Sequence, residues 1–402
     1  MVCRGSTDAV IAPPPPIPTE RHHGIDALRG GMMLLGVVLH LAINYVEGPE
    51  DGTWPFRDPA RSPLAGLAVL AIHTFRMPAF FVMSGYFAAM LLERRGVRGY
   101  AANRLKRIVL PSVVGWFVLF PLTMLAFVFV RIQTDQVDDA TRAALFAAAI
   151  KHPWANPTPI HLWFLEVLIL FGIASLPMVL IARVMPASLC AAAASVRRAL
   201  FMGRARWLFV PVAAILTTIT MLPMHRPGID TPHSFAVSLP ILACYGLYFM
   251  GGWMIRRESG MVARLVATGW WHLGGGVVAL LAALVTAIAW FVATGHGATP
   301  APILLVAAQG TSALASWLLI VGLIGVAERV LARPRPSVRW LVDASFWIYL
   351  VHLPLCVIVP WLLSGLPLGA VGRFTVSFVI VSTLLALSYE AVLMVVAPRR
   401  GS

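Results

Sequence analysis

Several histidines and arginines sit inside runs of sequence that are otherwise apolar, and these are the residues able to do chemistry. His40 closes the stretch ALRGGMMLLGVVLH, and Arg29 lies near its start, eleven positions before His40. His73, Arg76 and Ser84 fall in IHTFRMPAFFVMSGYF, residues 72–87; His161, Trp163 and Glu166 fall in HLWFLE. Arg104 and Arg107 open RLKRIVLP, and Ser345, Tyr349 and His352 share SFWIYLVHLP. A neutral imidazole accepts a proton at neutral pH, and a guanidinium grips phosphate or carboxylate through a planar fork of donors. The combination fits proton abstraction from a hydroxyl beside an anion-binding surface.

The elements that must position these residues are membrane helices. Of the 402 residues, 59% are hydrophobic and only 12% charged, beyond what a soluble core needs. Continuous apolar windows long enough to cross a bilayer recur at 27–46, 64–92, 108–130, 160–185, 207–223, 234–255, 266–294, 301–327, 338–363 and 372–396. They lack the strict alternation of barrel strands, so the fold class is all-α, a polytopic bundle of about ten transmembrane helices. Residues 1–22, with APPPPIP, read as a disordered cytoplasmic tail without a cleaved signal, and 23–398 as one membrane domain. Cys3, Cys190, Cys244 and Cys356 have no metal or redox spacing and read as inert. No metal site is expected.

The net charge of +14 is not a nucleic-acid signature, because its basic residues crowd into alternate loops. Arg94, Arg95, Arg98, Arg104, Lys106 and Arg107 form one group; Arg183, Arg197, Arg198, Arg204 and Arg206 a second; Arg256, Arg257 and Arg264 a third; Arg329, Arg333, Arg335 and Arg339 a fourth. The loops between carry Glu47, Glu50, Asp51 and Asp58, or Asp135, Asp138 and Asp139. The positive-inside rule then puts both termini in the cytoplasm and the acidic loops outside.

An ionisable group at mid-bilayer costs at least about 2.5–3.5 kcal/mol, so each needs a partner or a wet cavity. Eleven helical steps advance about 16 Å and three turns plus roughly 20°, which puts Arg29 and His40 on one face, His40 in the outer half. His73 enters from outside to a similar depth, and Pro78 predicts a bent, partly unwound helix. Ser345, Tyr349 and His352 form a polar stripe that serves chemistry or helix packing. Arg104 and Arg107, one turn apart, either converge on a phosphate or only set topology. Trp163 reads as an interfacial anchor or a ligand contact, and Glu166 as an ion-pair partner for a buried arginine or histidine rather than a catalyst.

IDALRGGMMLLGVVLH, FFVMSGYF, RLKRIVLP, HLWFL and the YLVH stretch resemble, in order, the motifs of the membrane acyltransferase-3 family, over residues 22 to about 355. HTFRMPAFFVMSGYF is most similar to the subgroup that modifies osmoregulated periplasmic glucans, described as succinyltransferases. The resemblance implies an inner-membrane enzyme that moves an acyl group from cytosolic acyl-CoA, succinyl-CoA or acetyl-CoA, to a hydroxyl of a periplasmic or cell-surface glycan. It implies His40 as the catalytic residue and Arg29, Arg104 and Arg107 as donor contacts; Glu166 matches no motif. Acyl-CoA is a co-substrate, no cofactor is bound, and membrane lipids are the other partner. Neither the extracytoplasmic hydrolase-like domain nor the eleventh helix of some members is expected.

That chemistry also follows from the residues. General-base assistance by a histidine is worth about 10²–10⁴ in rate, and His352, Tyr349 or Ser345 are candidates to stabilise the oxyanion. Arg76 is placed to meet a succinyl carboxylate, or else to pair with Glu166 or backbone carbonyls. The rival class is a proton-coupled transporter or flippase, which also carries buried ionisable groups and broken helices but usually shows two related halves. A membrane protein without chemistry would gain nothing from the insertion cost of these groups.

Overall fold

The computed structural model describes residues 22–48, 54–135, 138–295 and 301–396, and the regular structure among them is helical. The proline-rich tail before His22, Cys3, Glu50 and Asp51 lie outside the described residues. The helices are α1 (His23–Ile43), α2 (Pro63–Arg104), α3 (Leu110–Thr134), α4 (Asp139–Lys151), α5 (Trp163–Val184), α6 (Ala187–Phe201), α7 (Phe209–Met221), α8 (Leu239–Arg257), α9 (Met261–Gly295), α10 (Pro302–Val330), α11 (Pro336–Leu362) and α12 (Ala370–Val396).

A helix occupies each of the ten apolar windows, and the protein is a multi-pass membrane protein. Among the described residues seven helical units are long and apolar enough to cross a bilayer, or eight if the bent α6–α7 pair is one span. The difference from ten has physical causes. A π-helical turn, Leu105–Val109, joins α2 to α3, so that Pro63–Thr134 is one unit of 72 residues holding two windows. Helix α7 has only 13 residues, and α8 dilutes its aliphatic residues with glycine, tyrosine and tryptophan.

The long unit breaks at Gly96, whose φ of +64° and ψ of −177° only glycine adopts readily. Arg94, Arg95 and Arg98 are exposed around this break. Pro78, by contrast, does not unwind its helix: Gly96 is the one non-helical residue inside α2. The expected unwinding is thus displaced five turns along the chain, to a residue without a side chain. Two helices have no counterpart among the windows. Helix α4 begins at Asp138, whose Oδ1 accepts from the Thr141 N–H at 2.6 Å, and α6 meets α7 at 81°.

Helix α1 is the hub, packed against α2, α10, α11 and α12. Around it α2 packs on α8, α9 on α10 and α3 on α11. The α2–α8 approach depends on Gly85 and Gly252, where a Cβ would strike the carbonyls of Phe249 and Val82 respectively. Phe80, Phe81, Phe164, Tyr245 and Phe249 fill the core beside this seam. Phe117, Ile173, Ile215, Val278, Leu281 and Val379 face outward from α3, α5, α7, α9 and α12. Apolar side chains on the outside and ionisable ones against α1 are the arrangement a bilayer demands.

Candidate active site

The site is built on α1, α2, α11 and the turn before α5. His40 is half-buried at the C-terminal end of α1. Its ring centroid lies 5.1 Å from that of His352 on α11, and His352 lies 5.2 Å from His161. Three histidines far apart in sequence thus form one cluster.

Hydrogen bonds assign the tautomers of two of them. His161 Nε2–H donates to the Leu350 carbonyl at 3.1 Å, which leaves Nδ1 buried without a protein partner. His352 Nδ1–H donates to the Tyr349 carbonyl at 2.8 Å and approaches the Ile348 carbonyl at 3.1 Å, leaving Nε2 buried and bare. His40 Nδ1 is likewise buried and unbonded. Each ring therefore has one buried nitrogen without a hydrogen bond among the described residues. Among the described residues no group of three or more His, Cys, Asp or Glu is arranged to hold a metal ion.

Tyr349 ties α11 to the turn before α5. Its hydroxyl donates to the His161 carbonyl at 2.6 Å, so α11 fixes the turn that carries His161. The residue before it, Ile160, holds φ at +46°, a region β-branched side chains rarely enter, at a cost of about 1–3 kcal/mol. Ser345 is buried, but its hydroxyl is taken by the Val342 carbonyl at 2.7 Å. Of the predicted stripe, Tyr349 and His352 join the cluster and Ser345 bonds within its own helix.

Trp54, which sequence reasoning missed, covers His40, and Asn44, missed likewise, holds Trp54 in place. The Trp54 indole stacks on it, with centroids 5.8 Å apart and planes 7° apart. Trp54 Nε1–H donates to Asn44 Oδ1 at 2.8 Å, while Asn44 Nδ2 donates to the Cys356 carbonyl of α11 at 2.9 Å. Asp58 pins the same loop to α12 through Arg373 at 2.6 Å. No local signal in the sequence marks these contacts, since each joins residues from different elements.

Arg76 is buried beside α1. Its Nε–H donates to the Met32 carbonyl at 2.9 Å, and its guanidinium lies 5.5 Å from the Phe80 ring. It sits against Gly36, where any Cβ would overlap it. Met32, Gly36 and His40 are spaced i, i+4 and i+8, so Arg76 and His40 border one stripe of α1. Of the partners considered for Arg76, the backbone carbonyl is the one found. Glu166 is half-buried, and no ion pair joins it to an arginine or histidine among the described residues; its Oε2 is buried and unbonded.

The remaining candidates lie further out. His73 Nε2 faces the Ile229 carbonyl at 3.3 Å, in the α7–α8 connection. Ser84 is half-buried on α2, with no hydrogen bond to the cluster among the described residues. Trp163 is 6% exposed and packs 5.5 Å from Tyr245, as a core residue rather than an interfacial anchor.

At the other end of α1, Arg29 pairs with Asp26 at 3.9 Å and lies 5.8 Å from the Phe87 ring. Arg256 lies 6.0 Å from the neighbouring Tyr86 ring, and Glu93 holds Arg256 at 2.9 Å and Arg257 at 3.4 Å. Glu328 of α10 accepts from the Ile25 N–H at 2.8 Å, satisfying a donor of the first turn. Arg104 lies over Tyr100 at 5.1 Å, on a groove of about 150 Å³ against α5 whose other walls include Leu168, Ile169 and Leu176. Arg107 is exposed and does not line that groove, and a π-helical turn, Leu105–Val109, lies between Arg104 and the start of α3.

The chain is 30% identical over 154 residues to Glucans biosynthesis protein C of Escherichia coli O6:K15:H31 (strain 536 / UPEC), and 29% identical over the same length to that of Escherichia coli (strain K12). Each alignment covers 38% of this chain and 38% of the relative. No solved structure matches. Residues 22–389, from the start of α1 into α12, match the acyltransferase-3 family, described as Acyltransferase domain. A match of that extent encloses every residue of the histidine cluster, and this chain belongs to the acyltransferase-3 family of membrane-bound acyltransferases.

Proposed function

We propose that this protein transfers an acyl group, succinyl in preference to acetyl, from cytosolic acyl-CoA to a glycan hydroxyl on the far side of a bacterial inner membrane. The reading takes ten crossings with both termini in the cytoplasm, in line with the alternating arginine bias and the break at Gly96 between exposed arginines. Similarity to the glucans biosynthesis proteins supports a glucan as acceptor.

The observation that carries the reading is the half-buried His40, with an unbonded ring nitrogen 5.1 Å in centroid distance from a second histidine. In the reaction, a ring nitrogen of His40 takes the proton of the acceptor hydroxyl as its oxygen bonds to the thioester carbonyl carbon. The C–S bond then breaks, the acyl group stays on the glycan oxygen, and the proton passes from His40 to the departing CoA sulfur. His352 and Tyr349 border the reacting centre, and Arg76 of α2 is the buried cation that packs on α1 at Gly36, one turn before His40. A guanidinium in that place pairs with the free carboxylate of a succinyl group, which would otherwise be buried without a counter-charge.

The donor enters from the opposite end of α1. Arg29 and the apolar groove rimmed by Arg104 suit a phosphate-bearing co-substrate with a long thin arm. Arg107, exposed outside the groove, reaches donor phosphates only beyond its rim. His73, Ser84, Ser345, His161, Trp163 and Glu166 complete the proposed substrate-contacting set, with Ser345 and Trp163 as its supporting walls.

Purified protein given radiolabelled succinyl-CoA and periplasmic glucan tests the reading. Label is expected on the glucan, with one CoA thiol released per acyl group transferred. Thiol release without glycan labelling would remove the acceptor assignment, and uptake of label into vesicles without thiol release would favour a transporter.

A further inference from the structure

A second cavity lies away from the histidine cluster, between the first turns of α7 and α9, with α10 as its back wall. It encloses about 310 Å³. Its walls are mostly apolar, with Val210, Leu314, Leu318 and Val321 among them; His272 of α9 is the polar exception, its Nδ1 turned to the Thr268 carbonyl of its own helix at 3.0 Å, and Arg206, Trp207 and Arg264 complete the lining. Trp207 is 69% exposed and Arg206 is exposed.

The two arginines are held together. Arg264 Nη2–H donates to the Arg206 carbonyl at 3.3 Å, and its Nη1–H donates to the Phe201 carbonyl. Nearby Arg197 and Arg198 share the carboxylate of Glu258, at 2.9 and 3.9 Å, but among the described residues no carboxylate pairs with Arg206 or Arg264. Two like charges placed side by side without an acid repel, and an anion between them removes that cost. The elbow of 81° between α6 and α7 sets these residues at a helix end, where an exposed tryptophan marks the lipid headgroup level. Apolar side chains of α7 and α9, such as Ile215 and Val278, face outward beside the groove.

We propose that this groove binds one anionic phospholipid, its headgroup phosphate between Arg206 and Arg264 and one acyl chain along Val210, Leu314 and Leu318. A charged mouth over an apolar trough fits an amphiphile with a negative head, and on the arginine-rich side such lipids are drawn to basic residues. The site is independent of the chemistry at His40.

Native mass spectrometry of the purified full chain, released from nanodiscs containing phosphatidylglycerol and phosphatidylcholine, tests the proposal. The wild type is expected to retain phosphatidylglycerol selectively. Arg206→Gln, an exposed position with no packing role, should lower that occupancy about fivefold, the change expected from one arginine at the surface. Arg264→Gln should do the same, though its loss also frees the Phe201 carbonyl, so Arg206→Gln is the deciding variant. Equal retention of both lipids, unchanged occupancy in Arg206→Gln, displacement of the lipid by acyl-CoA, or a lipid-free dimer that Arg206→Gln dissociates would each overturn it.

Discussion

The guanidinium of Arg76 fills the notch that Gly36 leaves on α1, one turn before His40. A side chain at position 36 and an arginine in that pose cannot coexist. Gly36→Ala is therefore expected to push Arg76 off the stripe, with an overpacking cost of about 1–3 kcal/mol and a fall in turnover of tenfold or more. Paired measurements of thermal stability and kcat check this. Full activity in Gly36→Ala would mean that the pose of Arg76 is irrelevant to the reaction.

His40→Ala removes the proposed base without touching a core contact of comparable size. Transfer should drop by about 10²–10⁴ while expression and thermal stability stay near wild type, because the imidazole is only half-buried and its Nδ1 holds no partner. The single-turnover rate with excess protein is the measurement. A variant within a few-fold of wild type would make the imidazole structural.

Asn44 joins three elements: it holds the α11 carbonyl of Cys356 and orients Trp54 over His40. Asn44→Ala leaves a buried carbonyl and the indole N–H unpaired, at about 1–3 kcal/mol for each buried group left unsatisfied. The expected result is a lower Tm and a reduced kcat with KM for acyl-CoA unchanged. Trp54→Phe, which keeps an aromatic cover but loses the hydrogen bond, should retain part of the activity that Asn44→Ala loses. A change in KM alone would move the role of this pair from the acceptor side to the donor side.

The sidedness of the mechanism rests on topology. Asp138→Cys, at the exposed cap of α4, is expected to react with an impermeant maleimide added to intact spheroplasts, and Arg335→Cys only after lysis. Exposed side chains at both positions make the comparison direct. The reverse pattern would invert the membrane orientation and remove the route proposed for donor and acceptor.

The positions of the helices were legible in the sequence because apolar windows have no other stable solution in lipid, and His40, Arg76 and His352 stood out because buried ionisable groups are costly. Their assembly was not legible. The approach of His161 to His352 depends on a strained turn at Ile160 and a bond from Tyr349, neither of which has a sequence signature. Arg104 and Arg107 are one turn apart in α-helical geometry, but a π-helical turn begins between them, and Arg104 lines the groove against α5 while Arg107 is exposed. Trp163 carried the composition of an interfacial anchor but found Tyr245 in the core. Helices α4 and α6 escaped notice because neither is long enough to span a membrane.

Arg76 also bears on the choice of donor. Its Nε is committed to Met32, and no carboxylate of the described residues pairs with it, so the charge is buried beside α1 without a counter-ion. A structural arginine in that place would serve any acyl donor equally. An arginine that binds the succinyl carboxylate would not, since a charge-assisted bond is formed with one donor and absent with the other. Arg76→Gln keeps a hydrogen-bond donor of similar length and removes the charge. It should therefore lower kcat/KM for succinyl-CoA by about 10²-fold, the scale of a lost hydrogen-bonded charge pair, while acetyl-CoA changes by a few-fold at most. Competition assays with both donors on one preparation give the ratio directly. Equal losses for the two donors would make Arg76 a scaffold for α1 and α2, and a wild-type preference for acetyl-CoA would remove the succinyl assignment with it.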